Sequence, residues 1–365
     1  MSGVLVHEWL SRRGGSENVL VELARIFPDA EISALWDDAP DRFAPGRVTE
    51  TWLARTPLRK HKALALPLMP STWRHLPSSD AEWILCSSHL FAHHARFAGP
   101  ARDAPKFVYT HTPARYIWTP ELDLRGDSAI ARAASKPLQE LDRRRAQEAH
   151  SIAVNSAFVA ERVARVWGRD STVIYPPVGV AKFSTNEQEA LTDDESKLLA
   201  ELPDSFILGA SRFVPYKRLD IAIEAGVASD VAVVIAGDGP DEGRLRAIAE
   251  RHPGKVIFVK KPSSALLGQL YRRALVLVFP AIEDFGIMPV EAMASGTPVI
   301  ANRVGGAAES VVDGVTGVLL DTFDASSLRE AVSTASTLAA SACIDRAWEF
   351  DVSVFDRKIL GWVGA

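Results

Sequence analysis

Cysteine is nearly missing from this chain of 365 residues: Cys86 and Cys343 are the two it has. Two isolated thiols build neither a disulfide framework nor the paired spacing of a zinc site, so both are expected as packing residues in a reducing compartment. No apolar run of about 20 residues occurs, which excludes a helix spanning a bilayer and leaves attachment to a membrane surface open. The opening MSGVLVHEWL lacks a basic segment followed by a long apolar core, so no secretory leader is expected. Positive charge is not in excess either. Lysine and arginine number 41 against 46 acidic residues, a net charge of −5, and a chain so balanced has no overall pull toward nucleic acid.

What is present reads as a globular α/β chain. The apolar share of 47% and the charged share of 24% are ordinary, and the length suggests about two domains. In the second half, short apolar runs at 206–210, 231–236, 256–259, 276–279, 299–301 and 318–320 alternate with helical patterns. That alternation predicts a parallel sheet covered on both faces. The first half carries similar runs at 4–6, 81–86, 106–109, 151–154 and 173–175, with a polar helical segment over 127–150. Pro176 and Pro177 stop the last run, and the acidic stretch 184–196 reads as a connection. The boundary is set near residue 180, giving domains 1–180 and 181–351.

The most informative stretch is 276–320, VLVFPAIEDFGIMPVEAMASGTPVIANRVGGAAESVVDGVTGVLL. Its apolar opening is a buried strand, followed by Glu283, Asp284, Phe285 and Gly286 in a polar turn. Pro289 is expected at the first helical position, where its missing N–H costs nothing, and Glu291 in the first turn. Backbone amides around Phe285, Gly286, Ile287 and Met288 then face out of a helix N-terminus, a seat for phosphate. Glu283 and Glu291 flank it as acceptors for hydroxyls.

Taken with Gly296-Thr297-Pro298, Gly305-Gly306, Glu309 and Asp313-Gly314, this string resembles the donor-site region of the family 4 glycosyltransferases. The resemblance implies an α/β GT-B fold, two Rossmann-like domains with parallel sheets facing across a cleft. It also implies sugar transfer from a nucleoside diphosphate sugar with retention at the anomeric carbon. In such chains the C-terminal helix, here 352–365, packs back on the N-terminal domain, and Phe355, Ile359 and Trp362 would be its buried face.

The remaining loops take their roles from this frame. After the first strand comes Arg12-Arg13-Gly14-Gly15-Ser16-Glu17, where a glycine pair lets backbone approach a ligand. It resembles the family's Gly-Gly-x-Glu loop, which puts Gly14 and Gly15 at the donor diphosphate and Glu17 toward the acceptor. It is not the Lys-Thr-Gly-Gly-Leu opening of glycogen and starch synthases. His111, at a strand end before Pro113, resembles the histidine that contacts the transferred sugar, with Arg115 and Tyr116 on the acceptor side. Arg212 and Lys217 correspond to the pair that grips the leaving diphosphate. Gly237, in Gly-Asp-Gly-Pro, is read as a close approach to the nucleotide, since the spacing is not the dinucleotide fingerprint. Lys260 stands where the family holds the base.

Three histidines, His89, His93 and His94, invite a metal reading. No Asp, Glu or Cys follows in the next turns, so a helix surface is preferred. Asp-x-Asp, the pattern of a metal bridge to diphosphate, is nowhere in the chain, and neither metal nor other cofactor is expected. The stretch 55–75 carries Arg59, Lys60 and Lys62 before an apolar run. A solvated face is its simplest reading, and a patch for anionic lipid at the inner face of the membrane the sharper one. A cytoplasmic setting is expected. The donor leans to GDP-mannose, because HEWL, Gly-Gly-Ser-Glu and THTPARYIW resemble mannosyltransferases of bacterial polysaccharide and glycolipid assembly. The acceptor is a glycan, a lipid-linked sugar or a small molecule. A UDP-sugar transferase, a nucleotide-sugar epimerase and a non-catalytic sugar-nucleotide binder are the alternatives.

Overall fold

The computed structural model describes residues 2–12, 14–118, 129–184 and 190–364. Arg13, the start of the helical segment expected from 127, and the middle of the 184–196 connection lie outside them. The chain divides into two compact units, Met1–Tyr175 with Asp356–Ala365, and Pro176–Phe355. The division falls ahead of residue 180 because Val178 hydrogen-bonds with both Phe350 and Val352, which ties the segment after Tyr175 to the second unit.

The first unit holds a parallel sheet of strands β1 (Gly3–His7), β2 (Glu31–Ala34), β3 (Val48–Glu50), β4 (Trp83–Ser88), β5 (Lys106–Thr110), β6 (Ser151–Val154) and β7 (Thr172–Val173). Their order across the sheet is β3-β2-β1-β4-β5-β6-β7. β1, β4 and β5 are buried along their whole length, as expected of central strands covered on both faces. Helix α1 (Gly15–Ile26) follows β1, and α2 (Ala157–Trp167) follows β6 behind a Ser156 cap that accepts from the Val159 amide. Trp36, Trp73 and Trp167 fill the core.

The second unit repeats the plan with β8 (Phe206–Ala210), β9 (Val233–Gly237), β10 (Val256–Lys260), β11 (Ala274–Phe279), β12 (Val299–Asn302) and β13 (Gly317–Leu320). The order is β10-β9-β8-β11-β12-β13, with every pairing parallel. Helices α3 (Leu219–Ser229), α4 (Ser264–Arg273), α5 (Ile287–Ala294) and α6 (Ala325–Ala335) cover it. In both sheets the order reverses between the first and fourth strands. The loops leaving their carboxyl ends diverge there and leave a crevice, the usual ligand position in open α/β sheets.

The last helix, α7 (Val352–Val363), begins in the second unit, and from Asp356 onward it belongs to the first. Trp362 donates from Nε1 to Ser151 Oγ at 2.7 Å and meets Phe107 edge-on, while Asp356 pairs with Arg25. Ile359 is fully buried. Among the described residues no helix is long and apolar enough to cross a membrane. Truncating Ile359 to Ala should cost about 2–5 kcal/mol. A denaturant melt checks this, and an unchanged midpoint would show that α7 contributes no core.

Candidate functional site

In the second unit the crevice lies between β8 and β11, and two loops meet there. After β8 the chain runs through Arg212 to a short turn, Pro215–Lys217. Lys217 is 9% exposed, and its ammonium pairs with Glu283 Oε1 on the loop after β11. It also lies 5.5 Å from the ring centres of Tyr216 and Phe279. Arg212 stays exposed, with Nη2 donating to the Tyr216 hydroxyl at 3.4 Å. Lys217 and Glu283, assigned separate partners by the sequence, therefore form one pair.

The loop 283–286 is clamped from behind. Gly306 N–H donates to Glu283 O at 2.8 Å, and a Cβ on Gly306 would lie 2.2 Å from Asp284 O. Phe285 turns its ring inward, 5.6 Å from that of Phe350, so only its backbone can serve a ligand. Gly286, at φ 93, is the N-cap of α5 and supplies no side chain to the first turn. The helix thus starts two residues earlier than expected. Pro289 occupies the third helical position and Ile287 and Met288 the first two. Pro289 has no N–H there, and the amides of Ile287 and Met288 head the helix.

Glu291 consequently lies in the second turn, not the first. It is half-buried, and its Oε2 accepts from the Tyr271 hydroxyl at 3.0 Å. Burial pushes its pKa up to about 6, against the opposing pull of that hydrogen bond and of the Lys182 charge. Tyr271, fully buried on α4, and Lys182 are residues the sequence reading passed over; neither sits in a motif. Gly237, at φ 141, has a reason within the protein: a Cβ would lie 1.9 Å from Ser211 O. The close approach seen there is to the loop after β8. Lys260 is exposed and pairs with Glu242 at 3.4 Å.

The first unit gathers polar groups at the ends of β1, β4 and β5. Register aligns His7 with Ser87 and Ser88 with Thr110. His7 Nδ1 lies 3.0 Å from Ser87 O, and His111 Nε2 lies 2.8 Å from Ser87 Oγ. Burial, helped by the nearby His89 and His7, drives the His111 pKa well below its ordinary value, so the ring is neutral at pH 7. Burial likewise lowers His7, to about 4. Glu8 is fully buried. Its Oε1 accepts from the amides of His89, Leu90 and Ala92 at 2.8–3.0 Å, and its Oε2 faces His89 Nδ1 at 3.1 Å. Burial opposes ionisation of Glu8, but the charge and hydrogen bond of His89 outweigh it and hold the carboxyl far below the usual range.

Gly14 caps α1 in extended backbone, and a Cβ there would lie 1.9 Å from Glu17 Oε2. The glycine leaves room for the carboxylate, which folds back and accepts from Ser11 and Ser16. Glu17 is 4% exposed, an internal anion at its own helix start. Around Gly15 a Cβ would meet nothing within 4 Å. Arg115 and Tyr116 open a short helix, Arg115–Trp118, with Tyr116 exposed.

His93 and His94 do not lie on a helix surface. They are buried in a short 3-10 turn; His94 Nε2 donates to Asp142 Oδ1 at 3.0 Å and His93 Nε2 lies 3.1 Å from the same oxygen, while the indoles of Trp118 and Trp167 donate to Oδ2 at 2.7 Å each. Their acid partner is distant in sequence, on helix Ala129–Ala146. Cys86 and Cys343 are free and buried.

Residues 13–182 match the family model described as Glycosyltransferase Family 4, and residues 192–342 match Glycosyl transferases group 1. The chain belongs to the family 4 glycosyltransferases. It is 33% identical over 194 residues to a D-inositol 3-phosphate glycosyltransferase of Mycobacterium sp. (strain JLS), covering 48% of this chain and 42% of that one. It is 31% identical over 216 residues to the alpha-1,3/1,6-mannosyltransferase alg-2 of Neurospora crassa, covering 48% and 46%. The matched part thus spans less than half of either relative's own length. Among solved structures, Anabaena HepE in complex with UDP superposes with a TM-score of 0.72 at 21% identity, covering 99% of each chain. Sucrose-phosphate synthase from Thermosynechococcus elongatus gives 0.71 at 18%, covering 100% of this chain and 98% of that one. That likeness is one of fold, the GT-B architecture.

Keeping Glu291 ionised in its buried setting costs stability. Its pKa, pushed up to about 6 in the fold, lies above the ordinary 4.5, so the stability it contributes is full below pH 4.5 and is lost as pH rises through about 6. Glu291→Gln keeps an acceptor for Tyr271 and removes the charge. Urea melts should show the variant more stable at pH 7.5 by up to about 2 kcal/mol, with the gain vanishing near pH 4.5. A pH-independent difference would count against the buried charge.

Proposed function

We propose that the chain is a retaining glycosyltransferase that moves a hexose from a nucleoside diphosphate sugar to a glycan, lipid-linked or small-molecule acceptor. The observation that carries the reading is the meeting of Lys217, Glu283 and the amide-headed start of α5 at one strand crevice. A cation and a helix N-terminus together suit a leaving diphosphate. The Lys217 ammonium has three donors, so one can hold Glu283 while the others meet phosphate oxygens. In this reading Arg212 adds a second charge from solvent, Glu283 meets sugar hydroxyls, and Glu291, fixed by Tyr271, accepts from the ribose. His111, held neutral, offers a hydrogen bond to the transferred sugar. The leaving phosphate serves as base for same-face attack, and no metal or other cofactor is required.

GDP-mannose is the favoured donor, in keeping with the mannosyltransferase name of the Neurospora relative. A UDP-sugar is the second reading, because HepE is solved with UDP and with UDP-glucose. The basic segment at Arg59, Lys60 and Lys62, beside exposed Trp52 and Leu64, would suit an acceptor carried on anionic lipid at the cytoplasmic membrane face.

Incubation with GDP-mannose, UDP-glucose and other nucleotide sugars, with and without candidate acceptors, tests the proposal through released nucleoside diphosphate. Release that depends on acceptor is expected. A changed sugar without acceptor would instead mean an epimerase, and tight binding without turnover a non-catalytic binder. Lys217→Met should lower turnover on the order of 100-fold, and Glu283→Ala should reduce turnover more than nucleotide affinity. Unchanged rates in both would remove this crevice from the reaction.

A further inference from the structure

We propose that His7, Glu8 and His89 form a binding site for one divalent transition-metal ion of the zinc class. The three ligand atoms lie within 4.8 Å of one another, and each is supported from behind.

His7 Nδ1 lies 3.0 Å from the Ser87 carbonyl. A carbonyl can only accept, so Nδ1 carries the proton and Nε2 the lone pair. That Nε2 is buried without a hydrogen-bond partner. A histidine with one nitrogen donating to backbone and the other bare is the arrangement by which proteins orient a metal ligand. Glu8 is held likewise. Three backbone amides fix Oε1, which leaves Oε2 with His89 as its one neighbour in an ion pair. Its 3.1 Å separation from His89 Nδ1 matches the distance between adjacent ligands, roughly 3.0–3.4 Å, when each bond to the ion is about 2.1 Å.

The site has access. The His89 side chain is 23% exposed, so an ion can enter from that side and keep a fourth position for water. The other cluster, His93, His94 and Asp142, offers no such vacancy. Asp142 Oδ1 is taken by His94 and Oδ2 by two indoles, and all three side chains are at most 1% exposed.

The test uses the full chain, stripped with chelator and titrated with Co²⁺ and then Zn²⁺. Expected are about one equivalent bound and affinity weaker by at least about tenfold in His89→Ala. Should His89→Ala not fold, as judged by circular dichroism, His7→Gln supplies the same reading. X-ray absorption on the wild-type zinc form should show imidazole nitrogen with carboxylate oxygen in the first shell. No stoichiometric uptake, uptake equal in the variants, or a shell without imidazole would each overturn the assignment.

Discussion

The ion pair between Lys217 and Glu283 joins loops whose residues stand 66 apart in sequence, and parallel pairing makes it possible. β8 and β11 are neighbours running the same way, so the loops leaving them emerge on one edge. Between them the order of strands reverses, and no crossover covers the crevice. The lysine is nearly buried, and a buried ammonium without a partner is costly. Glu283 offsets that cost. The loop carrying Glu283 is in turn fixed by Gly306, whose missing Cβ allows backbone to lie on backbone. Charge, loop and helix start thus form one unit set by strand order.

The first unit solves the same problem differently. Its edge buries Glu8, Glu17, His7 and Asp142, and buried polar groups need partners. Asp142 accepts from His94 on one oxygen and from two indoles on the other. Glu17 receives the hydroxyls of Ser11 and Ser16, and Gly14 makes room for it. Glu8 is complete on one oxygen only, the other being left to a single histidine, beside a His7 nitrogen with nothing to bond. The difference between a finished network and an open one lies in these donor counts, not in burial, which all four share.

Much of the second unit was legible because β-branched runs bounded by glycine and proline repeat regularly. All six strands fall within two residues of their expected starts. β2 and β3 were not read, since EISA and VTE are short and partly polar, and only their pairing with β1 makes them strands. The phosphate seat was legible as a stretch but not in register. Proline suits the first helical position on propensity, yet Gly286 at φ 93 starts α5 earlier, and both Pro289 and Glu291 move with it. The backbone of Ser211 that crosses Gly237 was not legible, because sequence does not show which strand end lies over it. The partner of His93 and His94 was missed for a similar reason: Asp142 arrives from a helix far along the chain, beyond the reach of any local spacing rule. Tyr271 and Lys182 belong to no pattern at all, and only packing brings them to Glu291.

Burial acts on the candidate groups of the two units in a common direction, against charge. It raises Glu291 to about 6 and lowers His111 well below its ordinary value, while the charge of Lys217 is met by Glu283. A sugar hydroxyl is neutral, and a neutral ring or a carboxylate already anchored by Tyr271 can recognise it without first shedding an ordered shell of water. Diphosphate is different, since it brings charge of its own and can compete with Glu283 for Lys217. On the proposed function the energetic consequence is an asymmetry: the groups assigned to hydroxyls are prepared by desolvation, the cation assigned to phosphate by a replaceable partner. A chain selected for stability alone would have little reason to bury a carboxylate in the second turn of α5 and keep it ionised. That unfavourable placement points to function more strongly than the acidic residues complementing a helix dipole elsewhere in the chain.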